Sequence, residues 1–242
     1  MHQVSTHIPG TRAAQVITRG PTATSADWSG YVDVAVPGRH FTSISSSFTI
    51  PSVNCAKSPD GSFTDSWVGL DGWSDNTTEK IGVDASCFGG VASYLAFYQM
   101  SPLPGVAFTG VSPGDAVNAS VIYHAPNWIL TLTDITTGGT ITTAQTCPAR
   151  STCQNSSAEV ITEDPKGPSG SILPLTDFGE ANYLNASVTA LFGPFSITGT
   201  LASEVGLWTS TAVRMVNGAD TLAVPSTLEG GKAFDVMWQA SQ

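Results

Sequence analysis

The sequence is poor in charged residues, and most of the charges it does carry are negative. Only 12% of the 242 residues are charged, and 19 acidic residues outnumber 9 basic ones, which gives a formal net charge of −10. A surface of this sign repels nucleic acid phosphates and anionic lipid headgroups. We therefore expect neither nucleic acid nor a membrane as a partner. The composition also suits an exported protein at low pH, although ordinary solubility accounts for it equally well.

Long apolar runs are missing too. No stretch of about 18 consecutive apolar residues occurs, so no segment has the length and hydropathy of a membrane-spanning helix. Residues 1–25 lack the apolar centre that a signal peptide needs. We therefore expect a secreted protein whose leader is absent from this chain. The predicted organisation is an N-terminal arm or propeptide remnant over residues 1–26 and a single domain over residues 27–242.

Helical periodicity is also scarce, and the one exception is a short helical turn predicted at Asp177–Tyr183. Alternating segments dominate instead, as in FTSISSSFTI at residues 41–50, where Ile44 and Phe48 point to the same side. The 24 glycines and 15 prolines are spread along the chain as turn signals. These features predict an all-β antiparallel sandwich. Further strands are predicted over residues 66–70, 93–100, 116–124, 128–134, 140–145, 158–162, 186–191, 196–201, 212–216 and 233–239.

The four cysteines include no CxxC pair, and the chain has only four histidines, so we do not expect a structural zinc site. An even number of cysteines predicts disulfides. Three connectivities are possible, and buried free thiols are a further alternative. We favour Cys147 with Cys153, which closes a short loop, and Cys55 with Cys87, which brackets the segment around Trp67.

Several common catalytic motifs are absent. The chain has no GxSxG, HExxH, Walker or GxGxxG sequence and no paired D-T/S-G sequences of the pepsin type. Within the predicted domain the only histidines are His40 and His124, and both are more typical of structural or surface positions than of a serine triad. The sequence therefore favours chemistry that needs neither a histidine base nor a metal.

Five segments resemble, in order, parts of the glutamic peptidases, family G1, also called eqolisins and formerly peptidase A4. They are DWSGYV at residues 27–32, FTIPSV at 48–53, WVGLDG at 67–72, YLAFYQMSP at 94–102 and SAEVITEDP at 157–165. The resemblance implies a sandwich of two bent sheets, similar to concanavalin A, with a cleft on the concave sheet. In that family a glutamate and a glutamine activate a water molecule that attacks a peptide carbonyl, mostly at acid pH and without metal or cofactor.

Carried over by position, the resemblance assigns the catalytic glutamate to Glu163. The glutamine position holds Lys80. The remaining matches imply substrate-binding or supporting positions in the cleft, with Phe97 where a tryptophan is common and Gln99 where a glutamate is frequent. These positions are Trp67, Asp71, Asp84, Phe97, Tyr98 and Gln99.

A lysine at this position changes the expected chemistry. Its ammonium favours the ionised form of Glu163 and makes that carboxylate a weaker base. The ammonium can stabilise an oxyanion, but it lacks the amide oxygen that could help to orient a water molecule. Desolvation acts in the opposite direction and favours a neutral amine, which could serve as a base or nucleophile.

Three hypotheses about function follow. The first is a glutamic-peptidase-like hydrolase that cleaves peptides at acid pH, with activity altered or lost because of Lys80. The second is a repurposed cleft in which Lys80 and Glu163 perform acid–base chemistry on a small molecule. The third is a non-catalytic module that binds peptides or glycans on its concave face.

Overall fold

The computed structural model describes residues 21–241, and these form sixteen β-strands and no helix. Accordingly, none of them forms a helix that could cross a membrane. The predicted all-β class is confirmed. The strands are β1 (Thr22–Ser25), β2 (Trp28–Ala35), β3 (His40–Thr49), β4 (Ser62–Leu70), β5 (Thr78–Phe88), β6 (Val91–Ser101), β7 (Val106–Phe108), β8 (Ala116–His124), β9 (Asn127–Asp134), β10 (Thr140–Thr146), β11 (Ser157–Glu163), β12 (Glu180–Phe192), β13 (Phe195–Gly199), β14 (Trp208–Asn217), β15 (Asp220–Pro225) and β16 (Phe234–Trp238).

The strands form one continuous sheet that folds back on itself. Its order is β10-β9-β8-β3-β12-β16-β15-β14-β2-β11-β4-β5-β6-β7, with β13 beside β12 and β1 beside β14. β1 runs parallel to β14, whereas neighbours along the main path are antiparallel. Strands β3 and β8 face β4 across the core. The predicted sandwich is therefore confirmed, and its two layers are continuous through β15 and β16.

The main core lies between the two layers. It contains Phe41, Ile44 and Phe48 from one layer and Val68 and Leu70 from the other, all at most 2% exposed. The layer that contains β4, β5 and β11 is also covered on its outer face, where a second cluster is formed by Val32, Trp67, Phe97, Ile161 and Val213. Because both faces are covered, every residue of β11 is buried. Polar groups in these strands therefore lie in surroundings of low dielectric constant.

The predicted strands correspond to observed ones, with shifts at their ends. The strand at residues 116–124 has the predicted bounds. Strand β5, TEKIGVDASCF, was not predicted, because charged residues and Gly82 interrupt its alternation. The helical turn predicted at Asp177–Tyr183 is wrong. Residues 180–183 begin β12 and pair with β16, since Ala181 and Tyr183 alternate into the core.

Both predicted disulfides are present. Cys55 and Cys87 are joined with a Cα–Cα distance of 5.3 Å, and Cys147 and Cys153 with 5.9 Å. Thr22–Ser25, which lie within the predicted N-terminal arm, pair with β14 and so join the sheet. The rest of the predicted arm, residues 1–20, lies outside the described residues.

Candidate active site

Four neighbouring strands carry the candidate site on the outer face of their layer. β11, β4, β5 and β6 pair without register shifts, so residues directly opposite one another form rows across the sheet. The three rows that matter are Glu163–Asp65–Asp84, Ile161–Trp67–Gly82–Phe97 and Glu159–Gly69–Lys80–Gln99. The segments WVGLDG, EKIGVD, YLAFYQ and SAEVITED thus meet on one surface.

The outer face of these four strands forms the floor of the site, and two glycines make room for its large side chains. A Cβ atom at Gly82 would lie 2.1 Å from the carbonyl oxygen of Ser66 and 2.6 Å from the Cβ of Trp67. A Cβ atom at Gly69 would lie 2.8 Å from the Trp67 indole and 3.2 Å from the Cβ of Lys80. The close approach of the Trp67 indole and the Lys80 stem therefore requires glycine at both positions.

Lys80 and Glu163 form a buried ion pair at the centre of the floor. Lys80 Nζ donates a hydrogen bond to Glu163 Oε2, and the two side chains are 6% and 10% exposed. The Lys80 ammonium also lies 5.0 Å from the ring centroid of Trp67 and 5.6 Å from that of Phe97, which is within range of a cation–π interaction. The ammonium is thus held by a carboxylate and two aromatic faces.

A cleft of about 430 Å³ opens above this ion pair, a volume typical of ligand sites. One wall is aromatic: the rings of Trp28 and Trp73 lie 6.3 Å apart, and Trp28 meets Trp67 edge-on at 5.1 Å. At the rim, Lys166 Nζ donates to Asp27 Oδ2. The polar lining comprises Ser25, Asp27, Asp65, Asp75, Asn76, Thr78, Lys80, Gln99, Ser101, Glu163 and Lys166.

Asp65 lies in the cleft although the sequence analysis did not select it. It is 6% exposed and stands between Glu163 and Asp84 in its row. Burial raises the pKa of Asp65 well above its ordinary 3.8, the Lys80 charge opposes the shift, and the Asp84 and Glu163 charges reinforce it. Burial also raises the pKa of Asp84 to about 6, opposed by a side-chain hydrogen bond with Asp65. The sequence did contain one signal for Asp65: it lies two residues before Trp67 on the same strand, and such residues point to the same face of a sheet.

The other predicted positions divide into two groups. Gln99 lines the cleft, where its amide donates to the Leu103 carbonyl at 3.0 Å, and Phe97 forms part of the floor. Tyr98 does not face the cleft. Its ring stacks on that of Phe108 with the centroids 6.0 Å apart, and it packs against the main core. The prediction that Tyr98 shapes the same subsite as Phe97 is therefore corrected, because consecutive strand residues point to opposite faces.

Asp71 supports the site from outside the cleft. Its side chain is fully buried and accepts hydrogen bonds from the backbone N–H groups of Gln154, Asn155 and Ser156 at 2.7, 2.7 and 2.6 Å. The residue itself has a left-handed backbone, with φ of 64°. Asp71 thus fastens the segment that leads into β11, the strand that carries Glu163.

Asp71 also belongs to a second group of acids, together with the half-buried Asp75 and the buried Glu79 and Glu159. Burial, followed by the charges of Asp71 and Asp75, raises the pKa of Glu79 from 4.5 to about 9. Burial raises the pKa of Glu159 well above 4.5, and Asp71, Asp75 and Glu79 reinforce the shift. Among the described residues, no group of three or more His, Cys, Asp and Glu side chains is arranged to hold a metal ion.

Comparison with known proteins identifies the family. The sequence model of the Peptidase A4 family matches residues 26–225. This chain belongs to the peptidase A4 family. These proteins are the glutamic peptidases that the five sequence segments resemble, so the chain is a glutamic-peptidase-like hydrolase by family. Aspergillopepsin-2 from Aspergillus niger is 26% identical over 212 residues, which cover 78% of this chain and 74% of that protein.

Solved structures of this peptidase family share the fold. Scytalido-glutamic peptidase, solved with a transition state analog inhibitor, superposes with a TM-score of 0.72 at 20% identity and covers 88% of this chain and 98% of its own. SCP-B, an eqolisin solved with the tripeptide Ala-Ile-His, gives a TM-score of 0.66 at 18% identity, with coverage of 88% and 98%. At these identities the likeness establishes the β-sandwich.

Proposed function

We propose that this protein is an extracellular endopeptidase that cleaves peptide bonds at acid pH through the Lys80–Glu163 pair. The observation that carries the proposal is the buried ion pair at the floor of the cleft, at the two positions where the family resemblance implies catalytic residues. Membership of the peptidase A4 family supports the reaction class. The two disulfides suit an oxidising compartment outside the cell.

The chemistry assigns different tasks to the two groups. Glu163 accepts the proton of a water molecule as that water attacks the scissile carbonyl, since Lys80 binds Oε2 and leaves Oε1 for the water. The ammonium of Lys80 stabilises the developing oxyanion in a site of low dielectric. The aromatic wall of Trp28 and Trp73 offers a surface for an apolar substrate side chain.

The proposal is tested by comparing variants on an unfolded protein substrate from about pH 2 to about pH 8. The native chain should cleave at acid pH, and Glu163→Ala should abolish cleavage. Lys80→Gln, which restores the family's usual residue, should retain or raise activity. Lys57→Gln serves as the matched control because Lys57 is exposed and distant in sequence from the floor. Cleavage that survives Glu163→Ala would contradict the assignment.

The direct contact between Lys80 and Glu163 also favours a second candidate. A preformed acid–base pair could move protons on a small molecule that occupies the cleft, with no peptide cleavage. In that case Lys80→Gln would gain peptidase activity that the native chain lacks. Binding of a peptide or glycan that survives replacement of both residues would instead support a non-catalytic module on the same aromatic wall.

A further inference from the structure

Peptide hydrolysis needs an acid as well as a base, and the Lys80–Glu163 pair leaves the acid unassigned. Glu163 gains a proton only from the attacking water, and Lys80 binds its Oε2, so its single remaining oxygen would have to serve first the water and then the leaving nitrogen. The amine of a peptide is a poor leaving group unless its nitrogen is protonated, so a second proton donor close to Glu163 would divide these two tasks. Only a side chain that lines the same cleft can deliver this proton directly.

Asp65 is placed for this task. It lines the cleft and lies directly opposite Glu163 on the neighbouring strand, where Cβ atoms are about 5 Å apart. On its other side it lies opposite Asp84. Two neighbouring carboxyl groups repel each other when both are ionised, and they can form a hydrogen bond only when one of them holds a proton.

The charge balance of the row favours a proton on Asp65. The row contains three carboxyl groups, Asp65, Asp84 and Glu163, and the neighbouring Lys80 ammonium is bound by Glu163. Asp65 is the more buried of the two remaining acids, so ionising it costs more than ionising Asp84. The raised pKa of Asp65, caused mainly by burial, agrees with this order.

We propose that Asp65 is the general acid of the site and donates the proton that releases the amine product. This inference rests on the proposed peptidase function. As water attacks, its proton passes to Glu163 and the oxyanion forms beside Lys80. The C–N bond then breaks as the Asp65 proton moves to the nitrogen. Glu163 then returns its proton to Asp65, so the cycle consumes one water molecule and no other reactant.

The test compares two substrates that differ in the leaving group. A peptide needs a protonated amine, whereas a 4-nitrophenyl ester of a blocked amino acid releases a stable phenolate without a proton donor. Asp65→Asn is the informative variant because its amide can still donate to Asp84 but cannot release a proton to substrate. We expect kcat for the peptide to fall by about 100-fold or more, with ester cleavage reduced less than about tenfold.

Two further variants distinguish a failure of the Asp65 assignment from a failure of the proposed function. Asp65→Glu should restore part of the peptide rate, and Asp220→Asn, at the exposed first residue of β15, should match the native chain on both substrates. Equal losses on peptide and ester, or no loss on the peptide, would overturn the role of Asp65 while leaving the Glu163 assignment intact. Failure of the native chain to cleave either substrate would overturn the proposed function and the role of Asp65 with it.

Discussion

Two groups of mostly buried acids lie in and beside one layer of the sheet, and they differ in how their charge is balanced. In the cleft group, Glu163 is paired with Lys80, the Lys80 charge also acts on Asp65, and Asp84 lies opposite Asp65. In the support group, Asp71 and Asp75 are held mainly by N–H and hydroxyl donors, such as Ser156, and the charges that act on Glu79 come from those same acids.

This difference indicates which acids are suited to act on a substrate and which affect only the stability of the fold. In the cleft group, Glu163 has the Lys80 ammonium as a direct counter-ion, and burial beside this pair favours the protonated form of Asp65. A carboxyl group buried among other acids holds its own proton and behaves as a neutral packing group. The cleft group is therefore suited to act on a substrate, whereas the support group ties the stability of the fold to acid conditions.

The largest predicted effect comes from removing the anion of the cleft pair. Glu163→Gln leaves the Lys80 ammonium buried without a counter-ion and should lower the free energy of unfolding by about 3 to 5 kcal/mol. Lys80→Gln should cost less, because the glutamine amide can still donate a hydrogen bond to Glu163, which lines the open cleft. Urea unfolding at pH 4 measures both values. Equal losses in the two variants would show that the pair does not have this asymmetry.

The support group should make the protein less stable as the pH rises. The pKa of Glu79 is about 9 in the folded chain against an ordinary 4.5, so the folded state holds this proton while the unfolded state releases it. The free energy of unfolding should therefore be highest below about pH 4.5 and fall by as much as about 1.4 kcal/mol per pH unit between these values. At pH 7 this amounts to about 3 kcal/mol for one carboxyl.

Glu79→Gln tests this dependence, because a glutamine fills the same space without a titrating proton. The variant should unfold with nearly native stability at pH 4 but should be more stable than the native chain at pH 7. Glu204→Gln is the matched control, since Glu204 is exposed and should not alter the pH dependence. Parallel curves for the native chain and Glu79→Gln would mean that the proton of Glu79 does not contribute.

The two groups also differ in how far the sequence could predict them. Glu163 and Lys80 were found from the motif positions, and the same family resemblance supplied Trp67 and Phe97. Asp65 and Glu159 were missed because a single sequence does not give strand register. Only the pairing of β11 with β4 brings Asp65 opposite Glu163. The fold class and the short Cys147–Cys153 loop were predictable because alternation and close cysteine spacing are local signals.

A smaller effect should follow from opening the disulfide next to the support group. Cys153 directly precedes the three amides that hold Asp71, and its bond to Cys147 closes a loop with a sequence separation of 6. Replacing both cysteines by serine should cost about 2 kcal/mol. Amide hydrogen exchange should accelerate at residues 154–156 and not at residues 161–163. Equal acceleration in both segments would mean that the disulfide stabilises the two groups alike.

The smallest effect is expected at the rim, where Lys166 and Asp27 form an exposed counterpart of the central pair. The Lys166 side chain is 54% exposed, so water and salt screen its attraction to Asp27. Lys166→Gln should therefore lower the free energy of unfolding by at most about 1 kcal/mol, and the difference should shrink as salt is raised. Urea unfolding at low and high ionic strength measures this change. A loss as large as that of Glu163→Gln would show that the rim pair, and not burial at the floor, determines how strongly an ion pair stabilises this cleft.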